Sequence, residues 1–324
     1  KVITDLDVFY SHYYKNINIS ITGTNGKSTT AKILFDVLKD QNKDVRLVGN
    51  IGNAILNEKN ISKKTIFIVE LSSYQIEYSQ FFKPNYAILL NISCDHLERH
   101  GTFNNYLGSK LKLFKNQSLK DYSFFNNDNN KISEKIKQLS IKSKKIYVKN
   151  QLNLNEKKLI NNNYFNNKNN EQNLSFVISI CDKLNINKKI IYKVVNKFKG
   201  LKYRQEIIFS SKKFIIINDS KSTSFASSEN VLKNLNDAYW ILGGIPKKGD
   251  KLKLSKIKSK NLKAFIFGEH SKKFLKILKN KIKVKSFSNL QETLKVIFSE
   301  INSHKSKKNI IFFSPAGASF DSFK

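Results

Sequence analysis

The chain has 324 residues, 40% hydrophobic and 26% charged, with 12 glycines and only 3 prolines; this fits a soluble globular protein of about two domains and excludes a wholly disordered chain or a collagen-like fibre. Lys plus Arg number 58 and Asp plus Glu 25, a formal net charge of +33, which raises nucleic acid or an anionic surface as a partner. The excess is nearly all Lys, spread over the whole chain and accompanied by abundant Asn, Ile, Phe and Tyr, so A/T-biased codon usage accounts for it better than a binding patch does.

In chain order, residues 17–22 (INISIT) predict a short buried strand and 28–39 a helix opened by Ser and Thr. Residues 45–48, 66–70 and 86–91 read as further strands, with a helical pattern over 103–115. Residues 126–170 turn rich in Asn and Lys and predict loops or edge strands, such as KIYV at 145–148. Helices resume at 173–184 and 188–198. A second alternation starts near 206, with strands at 213–217, 239–242, 263–267 and 309–313 and helices at 225–234, 271–279 and 290–301. Strands alternating with helices predict an α/β fold built on parallel sheets. Gly200, in KGLKYR, is the expected hinge between the two blocks.

No window approaches the ~20 apolar residues of a membrane-spanning helix. The two cysteines, Cys94 and Cys181, make no disulfide framework, which favours a reducing compartment. The chain contains no Met and starts at Lys1; it is read as a fragment or processed product.

The sharpest motif is Gly23-Thr24-Asn25-Gly26-Lys27-Ser28-Thr29, after a strand and at the start of a helix. Glycines let backbone N–H groups turn around phosphate oxygens, and the helix start adds positive potential. Lys27 is expected at the terminal phosphates of a nucleotide and the Ser28 hydroxyl on Mg²⁺. The loop is shorter than the general pattern, since only Thr24 and Asn25 separate Gly23 from Gly26.

GTNGKST is similar to the ATP loop of the Mur ligase superfamily, which includes folylpolyglutamate synthases. Four further stretches resemble the D-glutamate-adding branch of that family: ELSSYQIE at 70–77, NISCDHLERHG at 91–101, NDSKST at 218–223 and SPAGASFDSF at 314–323. The resemblance implies a central mostly parallel P-loop ATPase sheet flanked by helices, followed by a smaller Rossmann-like α/β domain. It divides the chain into residues 1–16, a linker from an N-terminal UDP-sugar domain that is missing here, 17–199, the central ATP-binding domain, and 200–324, a truncated amino-acid-binding domain. It further implies an ATP-dependent ligase of peptidoglycan precursor synthesis that adds D-glutamate to UDP-N-acetylmuramoyl-L-alanine through an acyl phosphate, cytoplasmic and monomeric, with no nucleic-acid or membrane partner.

The same resemblance assigns residue roles. Glu70, which ends a strand, and His96, just after one, become Mg²⁺ ligands with Ser28, two ions in all. Lys110 matches the family's carbamylated lysine, a group that desolvation must first strip of its proton. Asn50 and Ser72 face the acyl substrate. Asn170 and Asn173 fit a stretch near adenine, although Asn169 replaces the family's His there. Arg204, one of only three arginines with Arg46 and Arg99, contacts ATP, and Asp219 and Lys221 approach the nucleotide. Thr223, Lys247, Ser319 and the backbone at Phe320 form the D-glutamate pocket, with Lys248 hard to distinguish from Lys247. His100 is read as structural. The alternatives are another member of the superfamily, such as a folylpolyglutamate synthase, against which ELSS and SPAGASFD speak, and a basic nucleic-acid-associated NTP binder.

Overall fold

The structure, a computed structural model, describes residues 3–127, 134–137, 139–233, 235–246, 250, 252, 261–279, 281–303 and 308–318. The chain divides into two compact units, Lys1–Lys199 and Gly200–Lys324.

In the first unit, β1 (Ile17–Thr22), β2 (Val45–Gly49), β3 (Ile66–Glu70), β4 (Tyr86–Leu89), β5 (Tyr122–Asn126) and β6 (Lys144–Val148) form a parallel sheet in the order β2-β3-β1-β4-β5-β6. Its inner strands β3, β1, β4 and β5 are buried on both faces, as parallel strands under helices must be, while edge strand β6 is mostly exposed. On β3, Ile66 and Ile68 join one core cluster and Phe67 and Val69 the other. The first cluster packs against α2 (Lys27–Asp40) through Ile33, Leu34 and Val37. The opposite face carries Ile76 of α3 (Ser73–Tyr78) and Tyr106, Leu107 and Leu111 of α5 (Phe103–Leu111), α4 being Leu97–His100. The stretch 126–170 supplies edge strand β6 and α6 (Leu154–Leu159), and α7 (Lys168–Lys183) and α8 (Lys188–Lys197) follow it.

Within the segment read as a linker, residues 5–13 form α1 (Asp5–Tyr13), which buries Leu6 and Phe9 in the second cluster. Its Asp7 is buried and accepts hydrogen bonds from the backbone N–H groups of Gln80, Phe81 and Phe82 and from the Ser79 hydroxyl. Burial opposes the charge, but these donors outweigh it and hold the carboxyl below its ordinary value. Sequence patterning alone cannot signal such a packed helix, because its docking is non-local.

In the second unit, β7 (Glu206–Ser210), β8 (Phe214–Asn218), β9 (Ala238–Gly243), β10 (Lys263–Phe267), β11 (Lys283–Phe287) and β12 (Asn309–Phe313) form a sheet ordered β11-β10-β9-β12-β8-β7, parallel except for β7, which runs antiparallel to β8. Phe225 and Leu232 of α9 (Phe225–Leu232) and Phe274 and Leu278 of α10 (Ser271–Leu278) cover one face; Ile297 and Ile301 of α11 (Leu290–Ser303) cover the other.

Candidate functional site

In the first unit the chain crosses from one side of β1 to the other between β3 and β4. Such a reversal opens a crevice beyond the carboxyl ends of the strands, and the Gly23–Gly26 loop stands there. Asn91, just past β4, clamps this loop: its carbonyl accepts from Thr24 N–H at 3.1 Å, its side-chain Oδ1 accepts from Asn25 N–H at 2.9 Å, and its Nδ2 donates to Asn25 O at 3.1 Å. Gly26 has φ +84°, and a Cβ there would lie 2.1 Å from Asn173 Oδ1, so glycine is required twice over, by conformation and by space. Asn173 therefore sits against the phosphate loop itself. Asn170, buried on the same helix, donates from Nδ2 to Tyr164 O at 2.9 Å.

Two ammonium groups meet at this loop. Lys27 Nζ donates to Gly23 O at 2.9 Å and Thr24 O at 3.0 Å. Lys110 Nζ, from α5, donates to the same Gly23 carbonyl at 3.1 Å and to Thr22 Oγ1 at 3.3 Å. Lys110 is 2% exposed and lies over the Tyr106 ring. Burial, then the neighbouring Lys27 charge, pull its pKa down to about 7, against the opposing pull of Asp95 and Glu70. Ser28 and Thr29, in the first turn of α2, are buried beside it. The start of α2 contributes the positive end of the helix dipole.

Glu70 closes β3, opposite Ile21 of β1. It is fully buried. Its Oε1 accepts from Asn50 Nδ2 at 3.1 Å, and its backbone carbonyl accepts from Asn50 N–H at 2.9 Å. Oε2 has no hydrogen-bond partner. A buried carboxylate oxygen left so costs several kcal/mol unless a cation meets it. Gly49 makes the turn possible: it has φ +101°, and a Cβ would lie 2.4 Å from Glu70 O. Asn50, expected at the acyl substrate, thus also aims the carboxylate. Ser72 caps α3 in a reciprocal box with Gln75, donating from Oγ to Gln75 Oε1 at 2.9 Å.

His96 adopts φ +53° at the start of α4. Its Nδ1 lies 2.9 Å from the Tyr74 hydroxyl and its Nε2 3.5 Å from Asp95 Oδ2. The His96 ring is 6.2 Å from that of Tyr106, whose hydroxyl is 3.2 Å from Thr24 Oγ1. His100 is a core histidine, with Nε2 3.0 Å from Ser73 Oγ and its ring stacked on Tyr74. Among the described residues no three His, Cys, Asp or Glu side chains form a ready metal cage. Mg²⁺ does not require one, since it commonly takes one or two carboxylates and completes its octahedron with water and substrate phosphates. The unpartnered Glu70 oxygen, at a strand end paired with β1 just before the loop, fits that mode.

In the second unit Asp219, 6% exposed at the end of β8, accepts from Gln205 N–H at 3.1 Å and from Ser314 Oγ at 3.2 Å. Burial pushes its pKa up to about 6, against these donors and the Arg204 charge. Lys221 is exposed, and its N–H donates to Tyr203 O at 3.1 Å; Thr223 follows, half-buried. Lys247, Lys248, Ser319 and Phe320 lie outside the described residues.

The Mur ligase middle domain model matches residues 21–197. The chain is 30% identical over 341 residues to the UDP-N-acetylmuramoylalanine–D-glutamate ligase of Rickettsia felis, covering all of this chain and 75% of that protein. The chain belongs to the Mur ligase family. It is 28% identical to the ligase of the same name from Agrobacterium fabrum, over 94% of this chain and 69% of that one. Among solved structures, MurF from Acinetobacter baumannii aligns with a TM-score of 0.74 at 18% identity, covering 95% of this chain and 75% of its own. MurF from Thermotoga maritima in complex with ADP aligns at 0.71 and 14% identity, over 97% and 81%. These two likenesses show the shared α/β fold. Among the described residues no helix is long and apolar enough to cross a membrane.

For this family member, sequence reasoning passed over Asn91, Asp95 and Tyr106. Asn91 and Asp95 stand inside NISCDH, so the motif held the signal; Tyr106 lies one helical turn before Lys110, a spacing that puts both on one face.

Proposed function

We propose that the chain acts with ATP to join D-glutamate to UDP-N-acetylmuramoyl-L-alanine, forming an amide bond by way of an acyl phosphate. The substrates follow from the name shared by its relatives. The observation that carries the chemistry is Glu70 Oε2, buried and unpartnered at the strand end beside the phosphate loop. The loop N–H groups and Lys27 bind the ATP phosphates, and Ser28 and Glu70 hold a Mg²⁺ that would neutralise charge on them. His96 and Lys110, the latter as a carbamate, hold a second. With its ammonium proton lost, the Lys110 amine adds CO₂ by forming an N–C bond and releases a second proton to solvent, leaving an anionic carbamate, which relieves the crowding of two cations on the Gly23 carbonyl. Asn170 and Asn173 serve the nucleotide, with Arg204, Asp219 and Lys221. Asn50 and Ser72 face the acyl substrate; Thr223, Lys247, Ser319 and Phe320 take D-glutamate. The acyl carboxylate takes the γ-phosphoryl group as the β–γ bond breaks and ADP leaves; the D-glutamate amine then attacks the carbonyl, and phosphate leaves as the amine loses a proton. Positioning and charge neutralisation supply most of the rate. The site's setting is cytoplasmic.

The test is phosphate release from ATP with each substrate pair. Release should require both UDP-N-acetylmuramoyl-L-alanine and D-glutamate. Turnover with a folate and L-glutamate in their place would overturn this reading.

A further inference from the structure

Tyr203 and Gln205 both adopt left-handed backbone, with φ +65° and +51°, and Arg204 stands between them. Neither is glycine, and such conformations persist only where the surroundings over-determine them. The surroundings here are specific. Arg204 N–H donates to Leu201 O at 3.2 Å, Tyr203 N–H to Glu206 Oε2 at 2.9 Å, and Lys221 N–H to Tyr203 O at 3.1 Å. Gln205 N–H donates to Asp219 Oδ1. The other oxygen of Asp219 accepts from Ser314 Oγ, which lies 2.7 Å from Ser228 Oγ on α9. Ser314 and Ser228 are both fully buried, and Trp240 Nε1 fixes Ser314 by donating to its carbonyl at 2.8 Å. Either hydroxyl can donate in that contact, and Ser228 Oγ also lies 3.4 Å from the Ser224 carbonyl, so Ser228 holds Ser314 in place beside Asp219. Two hydroxyls, one just past β12 and one on α9, thus back one carboxylate, and that carboxylate holds the turn carrying Arg204.

We propose that Asp219, backed by Ser314 and Ser228, is a positioning residue for Arg204: it pins the strained turn 203–205 and so fixes where the guanidinium points. This rests on the reading of Arg204 as a nucleotide contact and changes the part given to Asp219, whose two oxygens are already engaged inside the unit. A charged acceptor holds an N–H about twice as strongly as a neutral one. The pin should therefore weaken as Asp219 gains a proton near pH 6. The charged groups around it are Arg204 beside it, Glu206 on β7, bonded to Tyr203 N–H, and Lys221 after β8; on α9, Glu229 pairs with Lys233 at 3.2 Å.

The experiment measures hydrogen-exchange protection of the Gln205 amide in the whole protein from pH 5 to 8, alongside ATP affinity. In the wild type, protection corrected for intrinsic exchange should rise several-fold through pH 6. Asp219→Asn should flatten the profile at its low-pH level. Ser314→Ala removes a donor to the charged form, so the midpoint should move up by half a pH unit or more. If Ser314→Ala does not fold, Ser228→Ala, one step further out, should move the midpoint the same way by less. Gln205 protection that ignores pH in the wild type, or a midpoint unmoved in the folded serine variant, overturns the proposal. Arg204→Ala separates the two readings. Unchanged ATP affinity in that variant, with the Gln205 profile as expected, rejects the nucleotide role of Arg204 and leaves the pin standing.

Discussion

Glu70 and Asp219 occupy matching places in the two units, each a buried carboxylate at the carboxyl end of a parallel strand. Their surroundings differ in kind. Asp219 has donors on both oxygens, all from its own unit. Glu70 has one oxygen held by Asn50 and one with no partner. A buried carboxylate satisfied from within is architecture, whereas one left with an unmet oxygen at a strand end next to the loop is where a cation from outside would be best placed. The same contrast separates the lysines: Lys27 stands at the loop mouth, while Lys110 is sealed beneath it and shifted toward neutrality.

The largest expected effect is at Lys27. Lys27→Ala removes the group proposed to meet the terminal phosphates; ATP turnover should fall on the order of 10²–10³-fold or more, with the circular dichroism spectrum and thermal midpoint retained. Turnover within threefold of the wild type would dissolve the phosphate-loop assignment.

Lys110→Ala should lose activity to a similar extent, but added formate or acetate should restore part of it by standing in for the proposed carbamate. Because burial depresses this pKa to about 7, the neutral amine that would take up CO₂ grows as pH rises through 7, and when bicarbonate is added back to CO₂-depleted protein, activity should return fastest above that value. The stability sign follows from the same shift. The folded state binds fewer protons than the unfolded one between about pH 7 and the ordinary 10.5, so this contribution is full above the upper value and is lost as pH falls towards the lower. Lys110→Met should remove that slope. A variant whose activity ignores added carboxylates would take the carbamate out of the mechanism.

These contrasts were only partly legible in the sequence. GTNGKST, the strand ends at Glu70 and Asn91, and the α/β alternation follow from local pattern, because phosphate loops and buried parallel strands are specified by neighbouring residues. Strand β5 (YSFFN) falls where the pattern blurs into the Asn-rich stretch. Strand β7 (EIIFS) lies at an edge with Ile207, Ile208 and Phe209 exposed, and β11 (KVKSF) is mostly exposed too; neither carries a clean apolar alternation. Among Lys residues so numerous, nothing local distinguishes Lys110 from its neighbours. What distinguishes it is burial, a property of the assembled sheet and of α5 laid over the loop. The pairing of Asn50 with Glu70 and of Asn173 with Gly26 likewise needs contacts across 20 and more than 100 residues.

The carboxylate comparison gives a smaller, sharper measurement in nucleotide-free protein. Glu70→Gln keeps the Asn50 contact and removes an unpaired buried charge, so stability should hold or rise by about 1 kcal/mol, while turnover falls. Asp219→Ala strands the Gln205 amide and the Ser314 hydroxyl and should cost about 1–3 kcal/mol. Chemical denaturation at pH 7 reads both. A Glu70→Gln variant destabilised as much as Asp219→Ala would mean that the first carboxylate is architecture too.

The smallest effect is at Ser72, where cap and substrate contact are both claimed. Ser72→Ala removes the side-chain acceptor that starts α3 and should cost about 1 kcal/mol. Ser72→Asp keeps a good cap but adds a negative charge where the acyl substrate, itself an anion, is expected. If Ser72 faces that substrate, the aspartate variant should recover the lost stability and still raise KM for UDP-N-acetylmuramoyl-L-alanine at least tenfold, leaving the ATP KM alone. Should stability and KM recover together, Ser72 caps a helix and does nothing more, and the acyl-binding surface must be sought elsewhere along the Asn50 and Glu70 edge.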